Sequence, residues 1–335
     1  MSFDSRMELA PLKTDQEIVE RSPFGTVITA MITPFDFRAD VSDRLQSLKV
    51  ANFLQESGSE GLVIAGTTGE SSALSSGDQV RLVRDIVDNV NIPVLAGTGA
   101  NTTKEAVQLT EQASKIEELS GLLVVSPYYN RPPQAGIIDY YERVADAADG
   151  KPVIMYDIPA RTGRAVDTET ILKLASGVDN IVGIKIASGD PGQTAEIKRE
   201  NPDFLVYSGD DALNLRHFGA GADGAISVVS HWAPRLIKQM WEAKQLPSFK
   251  DGGRARAIDN ILQESYEFAS SDEAPNPLPA KAVMRKTIGK SIGYCKSPMS
   301  PQIPDLNFEG RLETCYTGVR IRLMENIAKL QEQDI

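Results

Sequence analysis

Eight short apolar runs recur along the chain, and each is followed by Gly, Ser, Thr or Pro and then by a helical pattern of apolar residues. Strand-like runs that alternate with helical segments favour β–α–β units with parallel strands. The runs are 26–32, 61–65, 93–96, 121–125, 152–156, 181–185, 204–207 and 223–228.

The ends of the central runs are evenly spaced. Thr67, Gly97, Ser126, Tyr156 and Lys185 stand at or just past successive strand ends, at intervals of about 30 residues, which is the length of one β–α–β unit. Eight such units predict a closed (β/α)8 TIM barrel, in which all these strand ends lie on the face that carries active sites. An open doubly wound sheet is the alternative topology.

The chain of 335 residues exceeds a barrel of about 250 residues and leaves room for a C-terminal helical appendage. Helical periodicity at 254–268, 280–288 and 313–330 predicts these extra helices, packed on the barrel or forming a separable module. We therefore expect an N-terminal arm at 1–23, a catalytic barrel at 24–246 and a C-terminal helical region at 247–335. The polar arm is expected to be flexible or to make an oligomer contact.

The composition excludes several classes of partner. A net charge of −11 repels nucleic acid phosphates and anionic lipids, so we expect a small-molecule ligand and neither nucleic acid nor membrane as partner. Cys295 and Cys315 are the only cysteines, which suits a reducing cytoplasm. Neither they nor His217 and His231, the only histidines, have the spacing of metal ligands, so no metal site is expected.

The candidate chemistry centres on Lys185, which ends a buried strand. Burial of an amine favours its neutral form, which can attack a ketone and form a Schiff base. Tyr156 ends the adjacent strand, and its phenol could move the protons that this reaction requires. Lysine could instead mark the point where the strand emerges into water, and a buried tyrosine could simply satisfy a carbonyl group.

Three loops after the strands could bind substrate. The Gly- and Thr-rich turn at 66–70 offers amides and hydroxyls that can hold a carboxylate, or it only turns the chain and caps a helix. Arg161 offers a planar fork for a carboxylate, or it pairs with an acidic neighbour. Asp210 and Asp211 precede a helical pattern and could cap it, while nearby carbonyls line the pocket. The loop at 126–133 places Tyr128 and Tyr129 near the barrel mouth or at a subunit contact.

Taken together, these motifs resemble the dihydrodipicolinate synthase family, within the N-acetylneuraminate lyase superfamily of Schiff-base pyruvate enzymes. The resemblance extends from about Phe24 into the C-terminal helices. Its motifs are TPF at 33–35, GTTGE at 66–70, GTGAN at 97–101, SPYYNRPPQ at 126–134, YDIPARTG at 156–163, GIKIASGD at 183–190, SGDDALNL at 208–215 and NPLPAK at 276–281.

The resemblance implies a lyase that condenses pyruvate with L-aspartate 4-semialdehyde, a step of diaminopimelate and lysine biosynthesis, with no metal or organic cofactor. Arg161 favours this synthase over the alternative, another pyruvate-dependent aldolase or 2-keto sugar-acid lyase or dehydratase of the superfamily. A non-catalytic binding protein on the same scaffold would be expected to have lost Lys185 or Tyr156, and both are present.

Residue roles follow from the same resemblance. Lys185 would form the Schiff base with pyruvate, and Tyr156 would donate and accept protons with Thr67 and with Tyr129 of a neighbouring subunit. A shared tyrosine implies a homo-oligomer, in this family usually a tetramer built as a dimer of dimers. The substrate-binding residues implied are Thr68 for the pyruvate carboxylate, Arg161 for the aldehyde's carboxylate, and Gly209 and Ile226 for main-chain contacts.

The resemblance also outlines a candidate lysine effector cleft at a dimer interface, at positions Ser72, Asn101, Glu105 and Tyr128. Ser76 and Gln79 stand where the best-known lysine-sensitive members carry histidines, which argues against lysine feedback. Asp157 replaces an asparagine found in many members, and Ile186 replaces a common acidic residue after the lysine.

Overall fold

The fold is a closed barrel of eight parallel strands. We describe the protein from a computed structural model, of which residues 22–35, 42–245, 249–299 and 306–332 are described. The strands pair in sequence order and β8 pairs with β1, so the sheet closes and the open-sheet alternative is excluded. The strands are β1 (Val27–Ala30), β2 (Gly61–Ile64), β3 (Val94–Gly97), β4 (Gly121–Val125), β5 (Val153–Asp157), β6 (Ile181–Ile186), β7 (Leu205–Ser208) and β8 (Gly224–Ser227).

Helices alternate with these strands and continue beyond the last one. They are α1 (Arg44–Ser57), α2 (Ser76–Val87), α3 (Thr103–Ser114), α4 (Gln134–Ala147), α5 (Pro159–Thr162), α6 (Thr168–Gly177), α7 (Pro191–Glu200), α8 (Asn214–Gly219), α9 (Pro234–Gln245), α10 (Phe249–Ala269), α11 (Leu278–Thr287) and α12 (Leu306–Glu332). Polar side chains cap several of them: Asp43, Ser75 and Thr102 each accept a hydrogen bond from a backbone amide in the first turn.

The strands are buried on both faces, which explains why they appear in the sequence as continuous apolar runs. One cluster fills the barrel interior and includes Phe24, Ile28, Leu95, Ile154 and Tyr207. A larger cluster lies between the barrel and the helices. Tyr156 belongs to the inner cluster, so its ring points into the barrel.

His231 links the first and last strands where the barrel closes. Its Nε2 accepts a hydrogen bond from the Ile32 amide at 3.2 Å, and its Nδ1 lies 2.7 Å from the Val228 carbonyl oxygen. Complete burial lowers the pKa of His231 to about 4, so the neutral ring that can accept from Ile32 is favoured. The residue therefore has a structural role at the point where the barrel closes.

The C-terminal helices pack on the barrel. The Trp232 ring, just after β8, lies 6.0 Å from the rings of Phe268 on α10 and Tyr316 on α12. The barrel and these helices confirm the predicted fold class, while the domain boundaries at 23 and 246 stay predictions. The predicted arm lies outside the described residues except for its last two positions. None of the described helices combines the length and the apolar character needed to cross a membrane.

Candidate active site

A cavity of about 420 Å³ opens at the carboxyl ends of the barrel strands. Its lining brings together six residues that the sequence predicted from four separate motifs: Thr67, Thr68, Tyr156, Arg161, Lys185 and Gly209. The volume falls in the range of small-molecule sites, and the lining combines apolar strand ends with a few polar groups.

Lys185 and Tyr156 are paired neighbours at the ends of β6 and β5. The Lys185 Nζ lies 4.3 Å from the centroid of the Tyr156 ring, and the two residues are only 6% and 5% exposed. Among the described residues, no hydrogen bond or ion pair from Lys185 Nζ to a carboxylate is seen. The amine is therefore buried in the cavity wall against a phenol ring, an environment in which a lysine can act as a Schiff-base nucleophile.

Gly209, after β7, leaves the space that the Lys185 stem occupies. A Cβ at position 209 would lie 2.7 Å from Lys185 Cε and 3.0 Å from both the Ile186 carbonyl oxygen and the Ala187 Cβ. The contact with Lys185 Cε is closer than carbon atoms tolerate, so a side chain at position 209 would displace the end of the lysine side chain from this wall. The structure thus adds a steric role to the main-chain contact that the resemblance implied.

The turn after β2 holds Thr67 and Thr68 in a strained backbone. Ala65 and Glu70, on either side of it, have positive φ angles of 56° and 54°, a conformation that costs side-chain-bearing residues about 1 kcal/mol or more each. Glu70 is held by a buried ion pair with Lys281 at 2.8 Å and by the Lys296 amide at 2.7 Å. The C-terminal region therefore stabilises the turn.

Arg161 lies on α5, a single turn that begins with Pro159 and is followed by Gly163, which has a φ of 74°. Its Nη2 donates to the Asn276 carbonyl oxygen at 3.3 Å, so its exposed guanidinium is directed across the cavity mouth. No carboxylate pairs with it within the described parts of the chain, which leaves the ion-pair alternative without support.

Asp157 anchors the loop that carries Arg161. Its Oδ1 accepts from the Val166 amide at 3.1 Å, and its Oδ2 is buried with no hydrogen-bond partner among the described residues. Burial raises the pKa of Asp157 to about 7. Its side chain is fully buried, next to the strand end that carries Tyr156, and serves the loop rather than the cavity.

The two acidic residues after β7 have different surroundings. Asp210 lines the cavity, caps the following turn through the Ala212 amide at 3.1 Å, and has its pKa raised by burial. Asp211 accepts hydrogen bonds from the amides of Val228 and Val229 at 2.8 and 2.9 Å. The expected capping role is therefore present, and Asp211 also ties β8 to β7.

Two predicted site residues do not line this cavity. Tyr129 is 85% exposed on the loop after β4, has a φ of 71° and does not line the cavity of its own chain. Ile226 packs in the inner cluster at 1% exposure, and Val228 is the residue after β8 that lines the cavity.

The candidate effector residues lie on loops and helix starts outside the cavity. Ser72 and Glu105 are exposed, Tyr128 is 36% exposed, and the buried Oδ1 of Asn101 has no partner in the described chain. Gln79 is buried, and its side-chain amide donates to the Ser71 carbonyl at 2.9 Å, so it stabilises the adjacent turn.

Sequence reasoning missed the part of the wall that comes from the C-terminal region. Tyr266 and Ala269 at the end of α10, Ser270 just after it, and Asn276 before α11 complete the cavity. No strand ends near these residues, so the barrel pattern could not place them. The signal that could have found Asn276 was the NPLPAK motif itself, in which prolines hold a polar residue next to a helix start. The described residues contain no His, Cys, Asp and Glu cluster able to hold a metal ion.

Comparison with known proteins identifies the family of the chain. Residues 23–307 match the sequence model of the Dihydrodipicolinate synthetase family. The 4-hydroxy-tetrahydrodipicolinate synthase of Microcystis aeruginosa is 41% identical over 290 residues, covering 86% of this chain and 95% of the relative.

Solved structures show the same similarity. The dihydrodipicolinate synthase of Cyanidioschyzon merolae, solved with lysine bound, superposes with a TM-score of 0.82 at 36% identity and covers 89% of this chain and 99% of its own. The enzyme of Acinetobacter baumannii, solved in complex with pyruvate, has a TM-score of 0.78 at 31% identity, with 89% and 99% coverage. This chain therefore belongs to the dihydrodipicolinate synthetase family.

Proposed function

We propose that this protein is a 4-hydroxy-tetrahydrodipicolinate synthase, a lyase that condenses pyruvate with L-aspartate 4-semialdehyde in diaminopimelate and lysine biosynthesis. The observation that carries the proposal is the pairing of the buried Lys185 amine with the Tyr156 ring at 4.3 Å, in a cavity that also holds Thr67, Thr68 and Arg161. Relatives at about 40% identity over most of the chain bear this name.

The first half of the reaction concerns pyruvate. The neutral Lys185 amine attacks the C2 carbonyl, the resulting hydroxyl leaves as water, and a Schiff base forms. Thr68 and the turn amides hold the pyruvate carboxylate, which keeps C2 in reach of Nζ. Tyr156 supplies the proton that the departing hydroxyl needs and, with Thr67, returns protons to the relay.

The second half joins the two substrates. Loss of a C3 proton turns the Schiff base into an enamine, whose C3 attacks the aldehyde carbon and forms the new carbon–carbon bond, while the aldehyde oxygen takes up a proton. Arg161 holds the carboxylate of the aldehyde at the cavity mouth. The amine of the joined chain then attacks C2, closes the ring and releases Lys185.

We further propose that Tyr129 completes the proton relay of a neighbouring subunit in a homotetramer built as a dimer of dimers. Tyr129 is 85% exposed, and both Tyr129 and Arg131 have positive φ angles. These features support the role, because backbone strain in residues with side chains is found mainly at functional sites. Gly209 and Ile226 are proposed main-chain contacts to substrate.

The remaining assignments concern setting and regulation. A cytoplasmic location is supported by the absence of a disulfide at Cys295 and Cys315. The division into an arm at 1–23, a barrel at 24–246 and a helical region at 247–335 is our proposed organisation. Ser72, Asn101, Glu105 and Tyr128 mark the candidate effector cleft, at which we expect little lysine inhibition because Ser76 and Gln79 replace histidines.

The function is tested by measuring condensation with purified protein, pyruvate and L-aspartate 4-semialdehyde. We expect turnover with this aldehyde, and Arg161→Ala should raise its KM far more than it impairs reduction-trapped Schiff-base formation with pyruvate. Turnover with a different aldehyde or a 2-keto sugar acid, and none with aspartate semialdehyde, would assign another activity of the superfamily. Equal loss of both steps in Arg161→Ala would make Arg161 structural.

A further inference from the structure

Asn276 lies between the two groups that are proposed to bind the substrate carboxylates. It precedes α11 in the C-terminal region and lines the cavity. Its Nδ2 donates to Thr68 Oγ1 at 3.0 Å, and its carbonyl oxygen accepts from Arg161 Nη2 at 3.3 Å. Residues from the β2 turn, from α5 and from the C-terminal region therefore meet at one amino acid.

The segment that carries Asn276 is firmly anchored. Lys281, one turn into α11, pairs with Glu70 at 2.8 Å and donates to the Tyr294 carbonyl at 3.0 Å, and the Lys281 and Glu70 side chains are only 2% and 3% exposed. Lys281 Nζ also lies 4.2 Å from the centroid of the Phe35 ring. A buried ion pair with both partners hydrogen-bonded holds its elements in a fixed relation, so Asn276 has a defined place relative to the β2 turn.

Only one of the two polar atoms of the Asn276 side chain makes a hydrogen bond with a described residue. Its Nδ2 bonds Thr68, while its Oδ1 is buried with no hydrogen-bond partner among the described residues. A buried acceptor without a partner costs stability, and such groups persist where a function requires the side chain. Alanine or serine would avoid this cost, so asparagine at 276 is explained by the contact it makes with Thr68.

We propose that Asn276 is a positioning residue that sets the two carboxylate-binding groups relative to each other, with its side chain orienting the Thr68 hydroxyl and its backbone carbonyl orienting Arg161. This inference rests on the proposed function. It makes the C-terminal region part of the active site, because neither contact exists without the segment before α11.

The two halves of the contact predict separable effects. Substitution of the side chain removes the bond to Thr68 and leaves the carbonyl oxygen that receives Arg161. Variants at 276 should therefore weaken pyruvate binding and leave the KM for aspartate semialdehyde within about twofold of the parent value. A lost neutral hydrogen bond corresponds to an affinity change of about two- to tenfold.

The experiment measures Schiff-base formation by borohydride trapping as a function of pyruvate concentration, in the full-length parent protein and its variants. Asn276→Ala should raise the half-saturating pyruvate concentration about two- to tenfold. In Asn276→Asp the new side chain has nearly the same shape, but its carboxylate places a negative charge beside the Thr68 hydroxyl. This variant should therefore impair pyruvate binding more than Asn276→Ala does. The difference should grow as the pH rises through the range in which the new carboxyl group ionises. Asn260→Ala, at an exposed position of α10, is the matched control and should leave the curve unchanged.

The pattern across variants decides between roles. Parent-like pyruvate curves in both Asn276 variants would overturn the inference. It would also be overturned if the two variants lost pyruvate binding equally and their melting temperatures fell equally, because a structural defect would not depend on the charge of the new side chain. Equal effects on pyruvate binding and on the aldehyde KM would also overturn it. A parent protein that forms no adduct on Lys185 would instead contradict the proposed function and the inference with it.

Discussion

At the scale of single residues, the account depends on how the Lys185 side chain reaches the cavity. Its stem runs beside Gly209, where a Cβ would lie 2.7 Å from Cε, and the far end of the side chain rests against the Tyr156 ring. The lysine is thus confined on one side by a backbone and on the other by a phenol. Its position is set by two neighbouring strands and needs no hydrogen bond to hold it.

Gly209→Ala should therefore impair catalysis without unfolding the barrel. The added methyl group displaces the lysine stem, so we expect Schiff-base formation to fall by a factor of about 100, the loss associated with a displacement of about 1 Å at a reacting group. Borohydride trapping checks the step directly, and circular dichroism checks the fold. If this variant formed the trapped Schiff base as fast as the parent protein, the added methyl group would not displace Lys185, and this steric role of Gly209 would be wrong.

Asp157 predicts a pH dependence of stability. Its pKa is raised from 3.8 to about 7 by burial, so between these values the folded state holds a proton that the unfolded state has released. Stability from this group is therefore present at low pH and lost as the pH rises from about 4 through 7, by roughly 4 kcal/mol or less.

Asp157→Asn keeps a neutral side chain at every pH and should lack this component. We expect urea unfolding to show that the variant gains stability relative to the parent between pH 5 and about 8. A difference between the two proteins that stays constant with pH would mean that Asp157 does not take up a proton on folding.

At the scale of elements, the strained turn after β2 is bound to α11 through Glu70 and Lys281. The ion pair is buried at both ends, and Glu70 also accepts from the Lys296 amide, so the carboxylate has partners for both oxygens. The turn positions the threonines of the site, and α11 follows the segment that contains Asn276. Loss of this link should affect both folding and the site.

Lys281→Met leaves the Glu70 carboxylate buried without its cation, and we expect it to lower the free energy of unfolding by about 3 to 5 kcal/mol. Restoring neutrality with Glu70→Gln in the same chain should recover part of that loss. Lys286→Met, at an exposed position of the same helix, is the control and should change stability by less than about 0.5 kcal/mol. Similar stabilities for Lys281→Met and Lys286→Met would show that the ion pair does not stabilise the fold.

Elements differ in how far the sequence predicts them. The strands are predictable because each is a doubly buried apolar run at a regular interval, and this regularity also places Lys185 and Tyr156 side by side. The C-terminal helices are predictable as helices from their periodicity. That they form part of the cavity wall is not predictable in this way. Asn276 reaches Thr68 across 208 positions of sequence, and no local pattern encodes such a contact.

At the scale of the whole molecule, our proposal that a second subunit completes the site concerns Tyr129, which is exposed in the single chain. It lies on a loop whose backbone is strained at two positions, and its hydroxyl makes no hydrogen bond with a described residue of the same chain. A second subunit is the partner that our proposed tetramer supplies. Under this proposal, activity depends on the assembly of at least two chains.

Mixing Tyr129→Phe with Lys185→Ala tests this arrangement. Each variant alone should have strongly reduced activity, whereas mixed oligomers contain some sites with an intact lysine and an intact tyrosine from the neighbour. We expect partial recovery of activity after subunit exchange, with none before it. Absence of recovery in mixtures shown by native mass spectrometry to have exchanged would contradict a shared site.

The central claim, that Lys185 is the nucleophile, is tested most directly by reducing the protein with borohydride in the presence of pyruvate and locating the adduct by peptide mass spectrometry. The account predicts one pyruvyl adduct per chain, on Lys185, and its absence in Lys185→Ala protein with an unchanged fold. An adduct on another lysine, or none in folded parent protein, would contradict the account.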